Sequence, residues 1–257
     1  MRIVRTIAEM REARPPNGTV GLVPTMGALH PGHLSLLEAA RADCDCVVSS
    51  LFVNAAQFAP GEDFARYPRD EETDARIAEE AGVDVLFAPS SGELYPEDFQ
   101  TWVDVEELSQ PLEGEFRPGH FRGVVTVCLK LFNIARPHRA YFGQKDAQQV
   151  VVLRRMVSDL NVDVELRVLP TVRDTDGLAF SSRNARLTPQ ERERALALPR
   201  ALRTGDPASA RSLLADAGVD TDYVDVLADA GSRFLVGAIR VGSTRLIDNV
   251  PLEGDAR

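Results

Sequence analysis

The stretch VPTMGALHPGHLSLLEAAR, residues 23–41, constrains this chain more than any other. It joins the end of an apolar run, a loop with two glycines and an amphipathic helix. Residues 19–23 (TVGLV) are apolar and β-prone, with Pro15, Pro16, Asn17 and Gly18 before them and Pro24 after, which predicts a strand. From His33 onward, Leu34, Leu37 and Ala40 share one helical face, with Ser35, Glu38 and Arg41 opposite. Between strand and helix, Gly27 and Gly32 allow the backbone to approach a ligand, and His30 and His33 fall around the first helical turn. A helix N-terminus presents unpaired N–H groups and a partial positive charge, which suit phosphate. Imidazoles placed there can add hydrogen bonds or a proton. The bland alternative is a tight turn with two solvated histidines. Two of the chain's four histidines fall within these four residues, and strand, glycine loop and paired imidazoles together favour phosphate handling.

At 257 residues the chain has material for one large or two modest domains. A formal net charge of −10 argues against a broad nucleic-acid surface, but a few cations in one place can still hold a nucleotide. Cys44, Cys46 and Cys128 are odd in number and lack zinc spacing, which reads as buried small side chains in a reducing cytoplasm. No signal-peptide pattern and no apolar run of membrane length occur in the sequence, so no membrane role is expected. All but two of the 29 basic residues are arginine; Lys130 and Lys145 are the exceptions.

The rest of the chain alternates strand and helix. Thr6 and Glu9 form a capping-box pattern for a first helix. Residues 46–53 (CVVSSLFV) read as a strand buried on both faces, which completes a βαβ unit and implies a parallel sheet. Residues 54–70 read as a polar, mobile loop, followed by a helix over 71–81 and a strand over 83–88. A short strand is predicted around Trp102, an apolar helix over 121–134 and a strand over 139–143. Lys145 and Asp146 then open a helix, and 162–169 is the last strand of this block. The pattern fits a doubly wound, Rossmann-like α/β domain over 1–171, whose ligands bind beyond the carboxyl ends of the strands. Residues 174–186 read as a polar turn region. Thr188, Pro189 and Glu191 start a helix reaching about Arg203, and Asp206 and Pro207 start another, ended by Gly218. Three β-prone runs, 223–227, 234–241 and 245–250, complete a smaller antiparallel α+β domain over 172–257.

The candidate chemistry clusters at strand-to-helix turns. Lys145 can reach phosphate oxygens, and Asp146 can accept from a ribose hydroxyl or hold a metal. Ser181, Ser182, Arg183 and Asn184 concentrate donors suited to the outer phosphates of a nucleotide. Asn54, Gln57 and Gln149 are neutral hydrogen-bonders, suited to a small hydroxy-acid whose carboxylate must stay reactive. There is no Ser-His-Asp order, no serine elbow and no pattern for a metal held by protein ligands alone.

These residues lie in stretches that resemble the pantothenate synthetase (pantoate–β-alanine ligase) family of H-x-G-H nucleotidyltransferases. The stretches are PTMGALHPGHLSLLEAAR from Pro24, LFVNAAQF from Leu51, EDFARYPRD from Glu62, RPGHFRGVVTV from Arg117, YFGQKDAQQVVVLRRMVSDLNVDV from Tyr141, PTVRDTDGLAFSSRNARL from Pro170 and RVGSTRLIDN from Arg240. The resemblance implies ATP-dependent condensation of pantoate with β-alanine through pantoyl adenylate, with ATP as co-substrate and Mg2+ as its ion. It implies a cytoplasmic homodimer whose 172–257 domain acts as a lid. By the same resemblance Met26, Gly27, Ala28, Leu29, His30, Pro31, Gly32 and His33 line the ATP site, with His33 as proton donor. Gly143, Gln144, Lys145, Asp146, Val172, Phe180, Ser181, Ser182 and Arg183 complete it. Among these, His30, His33, Lys145, Ser181 and Arg183 are the implied catalytic set, Gln57 and Gln149 hold pantoate, and Asn54 lies near the approaching amine. Ala55 stands where the family usually has proline, Phe180 where it has methionine, and the region between Val224 and Arg240 is shorter than usual. The alternatives are another H-x-G-H nucleotidyltransferase and a non-catalytic nucleotide-binding regulator. The first leaves the paired glutamines unexplained, and the second is disfavoured by the presence of His33 and Lys145.

Overall fold

Short apolar runs alternating with amphipathic helices bury both faces when the runs pair in parallel between helical layers. In the computed structural model six strands form one sheet, buried on both faces along Val20–Thr25 and Cys46–Leu51, and residues 1–59, 63–229 and 231–252 are described. The chain divides into two units, Met1–Phe142 with Val152–Leu169, and Gly143–Val151 with Pro170–Arg257.

The elements run β1 (Arg2–Val4), α1 (Ile7–Ala13), β2 (Val20–Thr25), α2 (Pro31–Asp43), β3 (Cys46–Leu51), α3 (Glu71–Glu80), β4 (Val85–Phe87), α4 (Ser91–Leu94), α5 (Glu113–Phe116), α6 (His120–Ala135), β5 (Arg139–Gly143), α7 (Ala147–Asp159) and β6 (Glu165–Leu169). The sheet order is β1-β4-β3-β2-β5-β6, and β2 pairs in parallel with both β3 and β5. Chain order therefore reverses between β2 and β5, the switch point at which doubly wound sheets bind ligands. Val23, Leu36, Leu37, Val47, Leu86 and Tyr141 belong to one core cluster of this unit.

Several expected boundaries move, each for a physical reason. β2 runs on through Pro24 to Thr25; its pairing with β5 covers only Gly21 and Leu22, so Pro24 lies where that ladder has already opened. The predicted strand around Trp102 is absent. Val103 N–H donates instead to Thr126 Oγ1 of α6 (3.0 Å), so a helix side chain satisfies this backbone. Residues 54–70 carry two 3-10 turns, Ala55–Gln57 and Asp63–Arg66, and Phe58 packs edge-on to Phe64 and Tyr67. Residues 60–62 of that loop lie outside the described set. The edge strand β1, only three residues long, carries no sequence signal of its own.

In the second unit the helices α8 (Pro189–Ala195), α9 (Ala197–Leu202) and α10 (Pro207–Asp216) precede the strands β7 (Asp220–Asp229), β8 (Ser232–Val241) and β9 (Thr244–Pro251). The single helix expected from Thr188 to Arg203 is two, because Pro199 cannot donate to the carbonyl four residues back. β7, β8 and β9 pair antiparallel in that order. The link expected over 228–233 is mostly strand, since Asp229 pairs with Ser232; Ala230 lies outside the described residues. Leu198, Leu202, Leu214, Leu235 and Ile239 form its core.

Capping is largely by side chain. Thr6 with Glu9 and Thr188 with Glu191 form capping boxes, and the carboxylates of Asp70 and Asp206 cap α3 and α10. All three cysteines are free and buried, as expected, and burial pushes the Cys128 thiol up to about 12.

The turn Ala55–Gln57 rests directly on α6. A Cβ at Gly123 would stand 2.3 Å from Ala56 O and 2.6 Å from Gln57 N. Gly123→Ala is therefore expected to destabilise the fold by about 1–3 kcal/mol, the cost of overpacking, despite alanine's better helix propensity. Thermal unfolding against wild type measures this; an unchanged midpoint would show that the turn yields freely.

Candidate functional site

β2 ends in a loop that turns back sharply, with positive φ at Gly27 (86°) and Ala28 (52°). Asp74 of α3 holds this backbone from far along the sequence. Its Oδ2 accepts from Ala28 N–H (2.9 Å) and its Oδ1 from Leu29 N–H (2.8 Å). Asp74 is buried, and a Cβ at Gly27 would meet its Oδ2 at 2.7 Å. The sequence reading missed this residue. The available signal was an aspartate one helical turn before Ala78, on the buried face of α3.

The helix start that follows departs from the expectation of unpaired N–H groups. His30 is the N-cap, and its Nδ1 accepts from Gly32 N–H (3.1 Å). His33 N–H bonds to His30 O (2.8 Å), and Pro31 has no N–H. His33 Nδ1 in turn accepts from His30 N–H (3.3 Å), so the two histidines make a reciprocal capping box. A backbone N–H can only donate, so each Nδ1 holds a lone pair and the ring proton lies on Nε2. The helix end thus satisfies its own donors and exchanges them for two imidazole Nε2–H groups. The rings lie side by side, 4.0 Å between centroids. That arrangement can donate to phosphate oxygens.

Beyond β3, Asn54 and Gln57 are buried beside this loop. Asn54 Nδ2 donates to Gln57 Oε1 (3.2 Å) and Gly123 O (3.1 Å), and Gln57 Nε2 points to Met26 Sδ (3.1 Å). A thioether is a weak acceptor, so the Gln57 amide is held without a strong partner at that atom. The Gln57 carbonyl takes a bond from His120 Nδ1 (2.8 Å) and another from Arg117 (3.3 Å). Arg117 also meets His120 Nε2 at 3.1 Å; a guanidinium only donates, so His120 carries its proton on Nδ1. Arg117 and His120 were not singled out from the sequence, although both lie in the RPGHFRG stretch.

The second unit holds the other candidates. Gly143 leads into a 3-10 turn, Gln144–Asp146, which runs on into α7. The Lys145 side chain is only 18% exposed, with Nζ 3.6 Å from Asp146 Oδ1. Gln149 lies on the first turn of α7. Val172 and Phe180 are paired, Phe180 N–H donating to Val172 O (3.1 Å), across a hairpin that Arg173 and Ala179 bridge. The Ser-Ser-Arg-Asn run forms a 3-10 turn, Ser182–Arg186, capped by Ser181 Oγ, which accepts from Arg183 N–H (3.3 Å). Asn184 Nδ2 ties the turn to Ala179 O (2.9 Å). Among the described residues no group of three or more His, Cys, Asp or Glu side chains could hold a metal ion.

The H-x-G-H stretch thus caps the helix that follows the central strand of a doubly wound sheet. Residues 2–251 match the family model described as pantoate-beta-alanine ligase, and the chain belongs to that family. Curated relatives named pantothenate synthetase include that of Roseiflexus castenholzii, 52% identical over 277 residues, covering 98% of this chain and 100% of the relative. That of Heliobacterium modesticaldum is 50% identical over 280 residues, with the same coverage. Both alignments are longer than this chain of 257 residues, so the relatives carry residues it lacks. The crystal structure of pantothenate synthetase from Thermus thermophilus superposes with a TM-score of 0.91 at 48% identity, covering 98% of this chain and 99% of that one. The pantoate-beta-alanine ligase of Francisella tularensis, complexed with beta-gamma ATP and beta-alanine, gives 0.89 at 36% identity over the whole of both chains.

Asp74→Ala removes two charged acceptors from half-buried backbone donors and is expected to cost about 2–4 kcal/mol of stability. Asp74→Asn keeps one acceptor oxygen and is expected to cost about half as much. Denaturant unfolding of both variants measures the difference; equal midpoints for all three proteins would remove Asp74 as the support of the loop.

Proposed function

We propose that this chain joins pantoate to β-alanine using ATP, by way of a pantoyl adenylate. The observation that carries the proposal is the His30–His33 pair, each ring accepting a backbone N–H at Nδ1 at the start of α2, in a chain matched to the ligase family almost end to end. The pantoate carboxylate attacks the α-phosphorus of ATP and pyrophosphate leaves. The amine of β-alanine then attacks the acyl carbon, the amide bond forms, the acyl–phosphate bond breaks, and AMP leaves as the nitrogen sheds a proton.

The chain's own groups position reactants and stabilise charge. Residues 26–33 contact ATP, and His33 donates its Nε2 proton to a phosphate oxygen as charge moves toward the leaving pyrophosphate. Gly143, Gln144, Lys145 and Asp146, Val172, and Phe180 to Arg183 are assigned to the same nucleotide, with Lys145, Ser181, Ser182 and Arg183 on phosphate oxygens. Gln57 and Gln149 orient pantoate without neutralising its carboxylate, which a cation would make less nucleophilic. The weakly satisfied Nε2 of Gln57 supports that role. Asn54 is assigned to the approach of the amine.

Mg2+ is the ion of this reading. With Asp146 a single carboxylate and no protein cage among the described residues, the donor set fits an ion held chiefly by ATP's own phosphates. When bound it neutralises phosphate charge. The reading carries with it a homodimer and a cytoplasmic location, which sedimentation and cell fractionation test.

Pyrophosphate release from ATP with pantoate, with and without β-alanine, tests the reaction itself. Release that ignores pantoate would reject it. His33→Ala and Lys145→Ala are each expected to lower single-turnover adenylate formation about 100-fold, roughly 3 kcal/mol of transition-state stabilisation. Near-normal formation in a folded variant removes that residue from the mechanism. Gln57→Ala and Gln149→Ala are expected to raise the KM for pantoate far more than that for ATP; an equal rise in both would reassign the acid pocket.

A further inference from the structure

The RVGSTRLIDN stretch matches the family, yet nothing in the chemistry above uses it. It forms the end of β8, the turn and most of β9, and its last two residues, Asp248 and Asn249, are both 3% exposed. Buried polar side chains need partners; here Asn249 finds backbone carbonyls of the Lys145 turn, and Asp248 finds the side chain of Arg173, in the hairpin between Val172 and Phe180. Asn249 Nδ2 donates to Gln144 O (2.8 Å) and to Lys145 O (3.0 Å), one proton to each successive carbonyl of the 3-10 turn. Asp248 accepts both terminal nitrogens of Arg173, at 2.6 and 2.9 Å. Arg173 also donates to Asn249 O (3.1 Å) and Gly177 O (3.2 Å), and it is the residue that bridges to Ala179 in the Val172–Phe180 hairpin. Asn249 N–H closes the network on Asp248 Oδ1 (2.8 Å).

We propose that Asp248 and Asn249 are positioning residues that hold the Lys145 turn and the hairpin leading into Ser181–Arg183 in one fixed arrangement for the nucleotide. The inference rests on the assignment of Lys145 and the Ser181–Arg183 turn to ATP. The contacts of Asp248 and Asn249 end on backbone carbonyls of one segment and, through one guanidinium, on the other. The bidentate Arg173–Asp248 pair fixes direction as well as distance, which a lysine at the same place would not. Asn249 is specified as tightly: its amide supplies the two protons that two adjacent carbonyls require, and an aspartate of the same shape would turn a charge toward both.

The test uses the full chain, with steady-state kinetics on each substrate and a melting curve for every variant. Asn249→Ala is expected to raise the KM for ATP at least tenfold while the KM for pantoate stays within about twofold. Asn249→Asp is expected to be worse than Asn249→Ala, although it preserves volume; a packing role demands the reverse order. In the Lys145→Ala background, Asn249→Ala is expected to add no further loss, because the clamp acts through that turn. A wild-type KM for ATP in Asn249→Asp, an equal rise in both KM values, or full additivity with Lys145→Ala would each overturn the proposal. Should Asn249→Asp not fold, the alanine variant decides by the same split between substrates. Lys145→Ala with unchanged use of ATP would instead overturn the phosphate assignment, and the clamp's purpose with it; an effect of Lys145→Ala without one of Asn249→Ala rejects the clamp alone.

Discussion

The first unit is arranged around a choice that a helix N-terminus must make. Its leading N–H groups need acceptors, and whatever supplies them gives up its lone pairs. Serine, threonine or aspartate is the common solution elsewhere, and this chain uses it at α1, α3, α8 and α10. At α2 it uses histidine twice. An imidazole that accepts at Nδ1 must donate at Nε2, so satisfying the helix also fixes which way each ring presents its proton. The tautomer is thereby set by the backbone before any ligand arrives.

Such a cap works only if the loop before it stays put, and its support comes from far along the chain. Asp74 reaches back over more than forty residues to hold Ala28 and Leu29. His120 and Arg117 secure the carbonyl of Gln57 from sixty or more residues away. Arg173 with Asp248, and Asn249 with the Lys145 turn, repeat the pattern in the second unit. In each case a polar side chain reaches far along the sequence to fix a backbone segment, directly or through one guanidinium. Preorganisation of that kind is what an enzyme that mainly aligns reactants requires.

What the sequence revealed and what it hid divide along the same line. Thr6 with Glu9, Thr188 with Glu191, the buried run that became β3 and the three closing strands are local signals, and the structure holds all of them. His30, His33 and Lys145 stood out because of where they fall relative to strand ends. Asp74, His120, Asp248 and Asn249 did not, since their partners are set by tertiary structure and their own neighbourhoods look ordinary. The missing strand at Trp102 is the converse case: β-prone residues whose backbone found a threonine on a helix before it found a sheet. Pro199 was legible and overlooked, a breaker inside a run whose capping box pointed to one continuous helix.

The carboxylate caps and the buried thiols and phenols together give the fold an uneven tolerance of acid and alkali. Hydrogen bonds from Thr73 to Asp70 and from Ser209 to Asp206 hold both carboxyls below their ordinary range, as backbone N–H groups do for Glu9 and Glu191. What they contribute is present above the ordinary carboxylate pKa of about 4 and fades as the pH falls through the lowered values. The arginines that pair with acids stay charged far into the alkaline range. Burial raises Cys128, Tyr95 and Tyr141, so these groups stay neutral in the fold while their unfolded counterparts ionise from about pH 9–10 upward. At the alkaline end, then, the thiol and the phenols work against the fold, because the unfolded chain ionises them more readily.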